Sequence, residues 1–110
     1  MSDLTLFGIP TCDTCRKARR ALEAAGHSVT FRDVRAEPLA PGEWAEMVTA
    51  LGDGVVNRRA PSFRALEPDL QDAAPADLLA AAPVVMKRPV IRAGDRWFLG
   101  WGADVQAAFA

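Results

Sequence analysis

Cysteine is scarce in this chain, histidine occurs once, and no long apolar run is present; each shortage excludes a class of protein. Two cysteines, Cys12 and Cys15, are too few for the disulfide framework of a small secreted domain. The one histidine, His27, leaves a zinc site short of the roughly four ligands it needs, so no metal is expected, and His27 reads as a solvent-facing cap residue. No stretch approaches the roughly 20 apolar residues of a membrane span. Residues 1–10 carry neither a basic leader nor a long apolar segment, so a cytoplasmic protein without membrane contact is expected. Thirteen basic against fourteen acidic side chains leave a net charge of −1, too little to draw the chain directly onto a nucleic acid.

What is present suits one globular domain over residues 1–110, expected to be a monomer. Half of the 110 residues are apolar, and a chain of this length buries roughly two thirds of its unfolded surface without a staple. Leu4 to Ile9 form an apolar run of strand length that Pro10 ends. From Thr11 the period becomes helical, with Ala18, Ala21, Leu22 and Ala25 on one face and Gly26 at the close. Ser28 to Val34 alternates as a second strand. Trp44, Met47, Val48 and Leu51 then predict a helix from about Pro41.

The Ala- and Pro-rich stretch from Asn57 to Pro83 reads as two short helices, near Ser62–Leu66 and Ala76–Ala82. Together with the preceding helix they make a helical insertion of about residues 40–82. Val84 to Ile91 is strand-like but interrupted at Lys87-Arg88-Pro89. Arg96 to Trp101 follows a Gly94-Asp95 turn and predicts a hairpin, while Val105 and Phe109 predict a terminal helix. Strand, helix, strand, helical insert, strand, strand, helix is the order of an α/β thioredoxin-like fold, with a mixed sheet of about four strands between strand-flanking helices.

Cys12-Asp13-Thr14-Cys15 falls at the predicted junction of strand and helix, where unpaired backbone N–H groups and the helix dipole favour a thiolate over a thiol. Cys12 is therefore the candidate nucleophile. Thr11, Arg16 and Lys17 are candidate supports of its charge, and Asp13 opposes them. Cys15, one turn further on, is the candidate resolving thiol. The competing reading makes both cysteines small buried hydrophobes.

The run Gly8-Ile9-Pro10-Thr11-Cys12-Asp13-Thr14-Cys15-Arg16-Lys17-Ala18 resembles the arsenate reductase (ArsC) family, and within it the Spx and YffB-like branch. Asn57-Arg58-Arg59 with Phe63-Arg64-Ala65-Leu66 resembles that family's basic segment, and Lys87-Arg88-Pro89-Val90-Ile91 its Arg-Pro strand motif. The resemblance implies that Cys12 attacks an oxyanion or accepts a mixed disulfide, that Arg59 and Arg88 hold the anion, and that Pro89 is a cis proline facing the cysteine loop. Paired guanidinium donors suit a tetrahedral oxyanion and stay charged at any working pH. Arg58 reads as a surface charge, and the same bland reading stands open for Arg59 and Arg88.

One departure shifts the expectation. Glutaredoxin-coupled arsenate reductases carry a third arginine after the last hairpin strand, where this chain has Phe98-Leu99-Gly100-Trp101. The resemblance thus leans to the YffB-like branch and implies glutathione-linked thiol reduction, with no tightly bound cofactor, glutathione as co-substrate and glutaredoxin or thioredoxin as partner. Trp101 reads as a packed residue. The alternative is a regulator of the Spx type, in which a Cys12–Cys15 disulfide switches binding to RNA polymerase.

Overall fold

The computed structural model describes residues 3–110, and its first strand, β1 (Asp3–Gly8), stops two residues before Pro10, which has no backbone N–H to donate. Helix α1 (Asp13–Ala24) buries Cys15, Ala18 and Leu22, a stripe at i, i+3 and i+7 that sets its inward face. Gly26, at φ +94°, turns the chain out of the helix. Strand β2 (Ser28–Asp33) returns parallel to β1, with Leu4 opposite Val29 and Leu6 opposite Phe31.

Val34–Lys87 then form a compact unit of their own. Helix α2 (Pro41–Leu51) starts with a Glu43 carboxylate accepting the Ala40 N–H at 2.9 Å, which satisfies a donor the helix cannot use. Short helices α3 (Pro61–Arg64), α4 (Pro68–Gln71) and α5 (Pro75–Ala81) follow, each with proline at its first position. Gln71 binds the chain between α3 and α4, its side-chain N–H groups donating to the carbonyls of Phe63 at 3.2 Å and Leu66 at 2.9 Å. Trp44 and Met47 of α2, Leu78 and Leu79 of α5, and Val55, Val85 and Met86 bury the unit's core. An antiparallel bridge closes it, with Asn57 N–H on the Val85 carbonyl at 2.8 Å and Lys87 N–H on that of Val55 at 2.7 Å.

From Arg88 the chain rejoins the first unit. Strand β3 (Val90–Ala93) runs antiparallel to β1, and β4 (Arg96–Leu99) antiparallel to β3 across a turn at Gly94, φ +61°. The sheet order is β2-β1-β3-β4, and helix α6 (Ala103–Phe109) ends the chain's regular structure. Leu4, Leu6, Cys15, Ala18, Leu22, Ile91, Val105 and Phe109 make one buried cluster from β1, α1, β3 and α6. Burying a leucine such as Leu22 contributes about 2 kcal/mol. The mixed four-stranded sheet with flanking helices is the thioredoxin-like arrangement that the element order predicts.

Three local expectations change. Val84 and Val85 lie in a single 3₁₀ turn (Pro83–Val85), not in a strand, because the extended stretch begins only after Pro89. Helix α4 is an additional element. His27 is half-buried rather than solvent-facing: its Nε2 lies 3.3 Å from the Phe109 carbonyl oxygen, and its ring meets the Phe109 ring edge-on at 5.6 Å. Among the described residues no helix is long and apolar enough to cross a membrane.

Candidate active site

β1 hands the chain to α1 through a tight turn. Cys12 donates its N–H to the Ile9 carbonyl at 3.0 Å, and its own carbonyl accepts the first helical bond from Arg16 N–H at 3.1 Å. Its backbone is extended (φ −82°, ψ 117°), so Cys12 is the residue from which α1 starts. Its side chain packs half-buried against the cluster that holds Cys15.

Burial alone would raise the Cys12 pKa. The Cys15 backbone N–H, the Cys15 thiol and the Arg88 guanidinium all favour the charged sulfur, and the outcome is a Cys12 pKa below the ordinary thiol value. Cys15 behaves oppositely. It is fully buried, and burial pushes its thiol up to about 12, with the negative charge on Cys12 adding to the effect. An Ile9 N–H and Arg88 offset only part of this. The pair is therefore asymmetric: Cys12 gives up its proton more readily than an ordinary thiol, and Cys15 behind it holds its proton, from where its thiol supports the charged sulfur of Cys12.

Arg88 is half-buried at the entry to β3, and the Arg88–Pro89 peptide is cis. The Pro89 carbonyl accepts the Gly100 N–H at 2.8 Å. The first unit thus brings together Cys12, Cys15 and Arg88, with Pro89 next to Arg88 in the chain. Charge support for Cys12 comes from Cys15 and Arg88 and not from the nearer sequence neighbours: Arg16 is exposed and forms an ion pair with Asp13, while Thr11 and Lys17 are exposed.

Arg59 belongs to the second unit, where its backbone N–H donates to the Asn57 side-chain oxygen at 3.2 Å and its side chain is exposed. Its neighbour Arg58 is held in place. Arg58 Nη2 donates to Asp53 Oδ1 at 2.7 Å, and its guanidinium lies 5.4 Å from the Phe63 ring centre. The hydrogen bond from Arg58 keeps the Asp53 carboxyl below its ordinary value. Where a third arginine would stand, Phe98 and Leu99 occupy β4, Gly100 has φ +81°, and Trp101 packs against the core cluster.

The Cys15 N–H is one of the unpaired backbone donors expected at the start of α1, whereas the Ile9 donor to Cys15 carried no signal, because a main-chain donor just past a strand leaves no mark in residue type. Among the described residues no three histidine, cysteine, aspartate or glutamate side chains gather as a metal site would require.

The chain is 32% identical to the global transcriptional regulator Spx of Listeria innocua over 108 residues, which cover 92% of this chain and 82% of that protein. Among solved structures, a YffB protein superposes with a TM-score of 0.86 at 30% identity, covering 96% of each chain. An arsenate reductase-related protein from Brucella melitensis superposes with a TM-score of 0.75 at 34% identity, covering 98% of this chain and 93% of the other. The model of the ArsC family matches residues 7–109, from the end of β1 through the cysteine pair and the Arg88 strand to α6, and the chain belongs to that family.

Proposed function

We propose that this chain is a thiol-dependent reductase in which the Cys12 thiolate is the nucleophile and Arg88 binds the anionic group of the substrate. The observation that carries this reading is the asymmetric pair, Cys12 lowered beside Arg88 and Cys15 held as a thiol. The substrate is an arsenate-like oxyanion or a glutathione mixed disulfide. With a mixed disulfide, the Cys12 sulfur attacks the glutathione sulfur and the S–S bond breaks, releasing the substrate thiolate to take a proton from water. A second glutathione thiolate then attacks the Cys12 adduct, leaving oxidised glutathione and a free Cys12 thiolate. With arsenate, the same sulfur displaces one protonated oxygen as water to form a Cys12–arsenic bond; a glutathione thiolate then attacks the Cys12 sulfur, the S–As bond breaks and leaves its electron pair on arsenic(III), and a second glutathione thiolate clears the Cys12–glutathione disulfide as oxidised glutathione.

Glutathione is the preferred resolver. Burial, the largest cause of the raised Cys15 pKa, persists when Cys12 carries an adduct and disfavours the Cys15 thiolate as the attacking group. No tightly bound cofactor is needed, and glutaredoxin or thioredoxin are the protein partners to compare with glutathione. The test assays purified protein against arsenate and a model mixed disulfide with each of the three reductants, beside Cys12→Ser and Cys15→Ser. Turnover lost in Cys12→Ser and kept in Cys15→Ser with glutathione is the expected pattern. Turnover that survives Cys12→Ser ends the proposal.

The 32% identity to a transcriptional regulator favours a second reading, a redox switch in which a Cys12–Cys15 disulfide controls binding to RNA polymerase. Polymerase capture by reduced and by oxidised protein separates the two. Capture that is equal in both states, or absent, removes the regulator.

A further inference from the structure

Gly8 ends β1, is buried, and pairs with Asp33 of β2. Glycine is a poor strand residue, and the backbone here does not require it: the positive-φ glycines among the described residues are Gly26, Gly52, Gly94 and Gly100. Space does require it. A Cβ at position 8 would lie 2.5 Å from the Cys15 Sγ and 3.3 Å from the Cys15 Cβ, against an ordinary contact of 3.4–4 Å. Cys15 is 0% exposed inside the cluster of Leu4, Leu6, Ala18 and Leu22, so close packing limits where its sulfur can go.

We propose that Gly8 is a positioning residue of the cysteine pair: the missing Cβ at the end of β1 is the space that seats the Cys15 sulfur behind Cys12. This rests on Cys12 being the working thiolate. An alanine at position 8 would have to move the sulfur by roughly 0.9 Å, the difference between 3.4 and 2.5 Å, or turn it to another rotamer. Either response disrupts the hydrogen bond that the Cys15 thiol donates to Cys12, while the Cys15 backbone N–H and Arg88 stay in place. Cys12 keeps part of its activation and loses the share supplied by the thiol.

The test is a double-mutant cycle on the pH dependence of Cys12 alkylation in wild type, Gly8→Ala, Cys15→Ala and the double variant, with circular dichroism as the check on folding. Gly8→Ala and Cys15→Ala are each expected to raise the alkylation midpoint and slow the reaction at pH 7 by a factor of roughly 3 to 10. The double variant is expected to match Cys15→Ala, because no sulfur remains to be displaced. A folded Gly8→Ala with the wild-type midpoint, or shifts that add in the double variant, overturns the proposal. Should Gly8→Ala fail to fold, recovery of folding in the double variant supports it, and failure of both overturns it. The cycle reads a thiol titration and not turnover. A protein that reduced neither arsenate nor a mixed disulfide would lose the reductase reading and leave the Gly8 result to stand or fall separately.

Discussion

Arg88 acts on Cys12 from a half-buried position, where water screens a guanidinium less than at the surface. Arg88→Ala is therefore expected to raise the midpoint of Cys12 alkylation, and Arg88→Lys to raise it less, because the ammonium keeps the charge and loses the planar donors. A midpoint unchanged in Arg88→Ala would show that the Cys15 donors alone hold the thiolate. Cys12 and Arg88 were legible as residues because motif and chemistry coincide there. The protonated state of Cys15 was not, since a spacing of three residues tells how near two sulfurs lie along the chain and nothing about how dry the second one is.

Elements were legible wherever one face is apolar over several turns. The stripe through Ala18 and Leu22 and the stripe through Trp44 and Met47 mark α1 and α2 because each buries against a core, and tertiary packing then fixes what periodicity suggests. The Ala- and Pro-rich stretch was harder, since helices of four residues carry no period. Its signal lies elsewhere: Pro61, Pro68 and Pro75 each occupy a first helical position, where the missing N–H costs nothing and the fixed φ suits the helix. Read as helix starts and not as breakers, they find α4 as well as its neighbours. The end of α6 is secured by a long-range contact that sequence could not supply, with Phe109 between the rings of His27 and Phe98, the latter at 4.7 Å. Phe109→Ala should cost about 3 kcal/mol in denaturant unfolding. A loss below about 1 kcal/mol would mean that α6 is held by Val105 alone.

At the scale of the whole molecule, the cysteine pair links redox chemistry to stability, because its two thiols titrate in opposite directions. Cys15 retains its proton in the folded state up to about pH 12, whereas in the unfolded chain it loses it near the ordinary thiol value of about 8.5. Between those values the unfolded state binds fewer protons than the folded one, so stability falls as pH rises, by about 1.4 kcal/mol per pH unit. Cys12 contributes with the opposite sign: its lowered pKa adds stability above the ordinary thiol value, and that contribution is lost as pH falls through the folded value. The alkaline window is unusually clear in this chain, which has no tyrosine and whose two lysines, Lys17 and Lys87, are exposed. Urea unfolding of the reduced protein at intervals from pH 8 to pH 11 should show the decline in wild type and in Cys12→Ser. In Cys15→Ala the starting stability is lower, since a buried sulfur has been removed, but the slope should be absent. A wild-type slope that persists in Cys15→Ala would mean that another buried group carries the proton, and the asymmetric pair on which the nucleophile is assigned would lose its support.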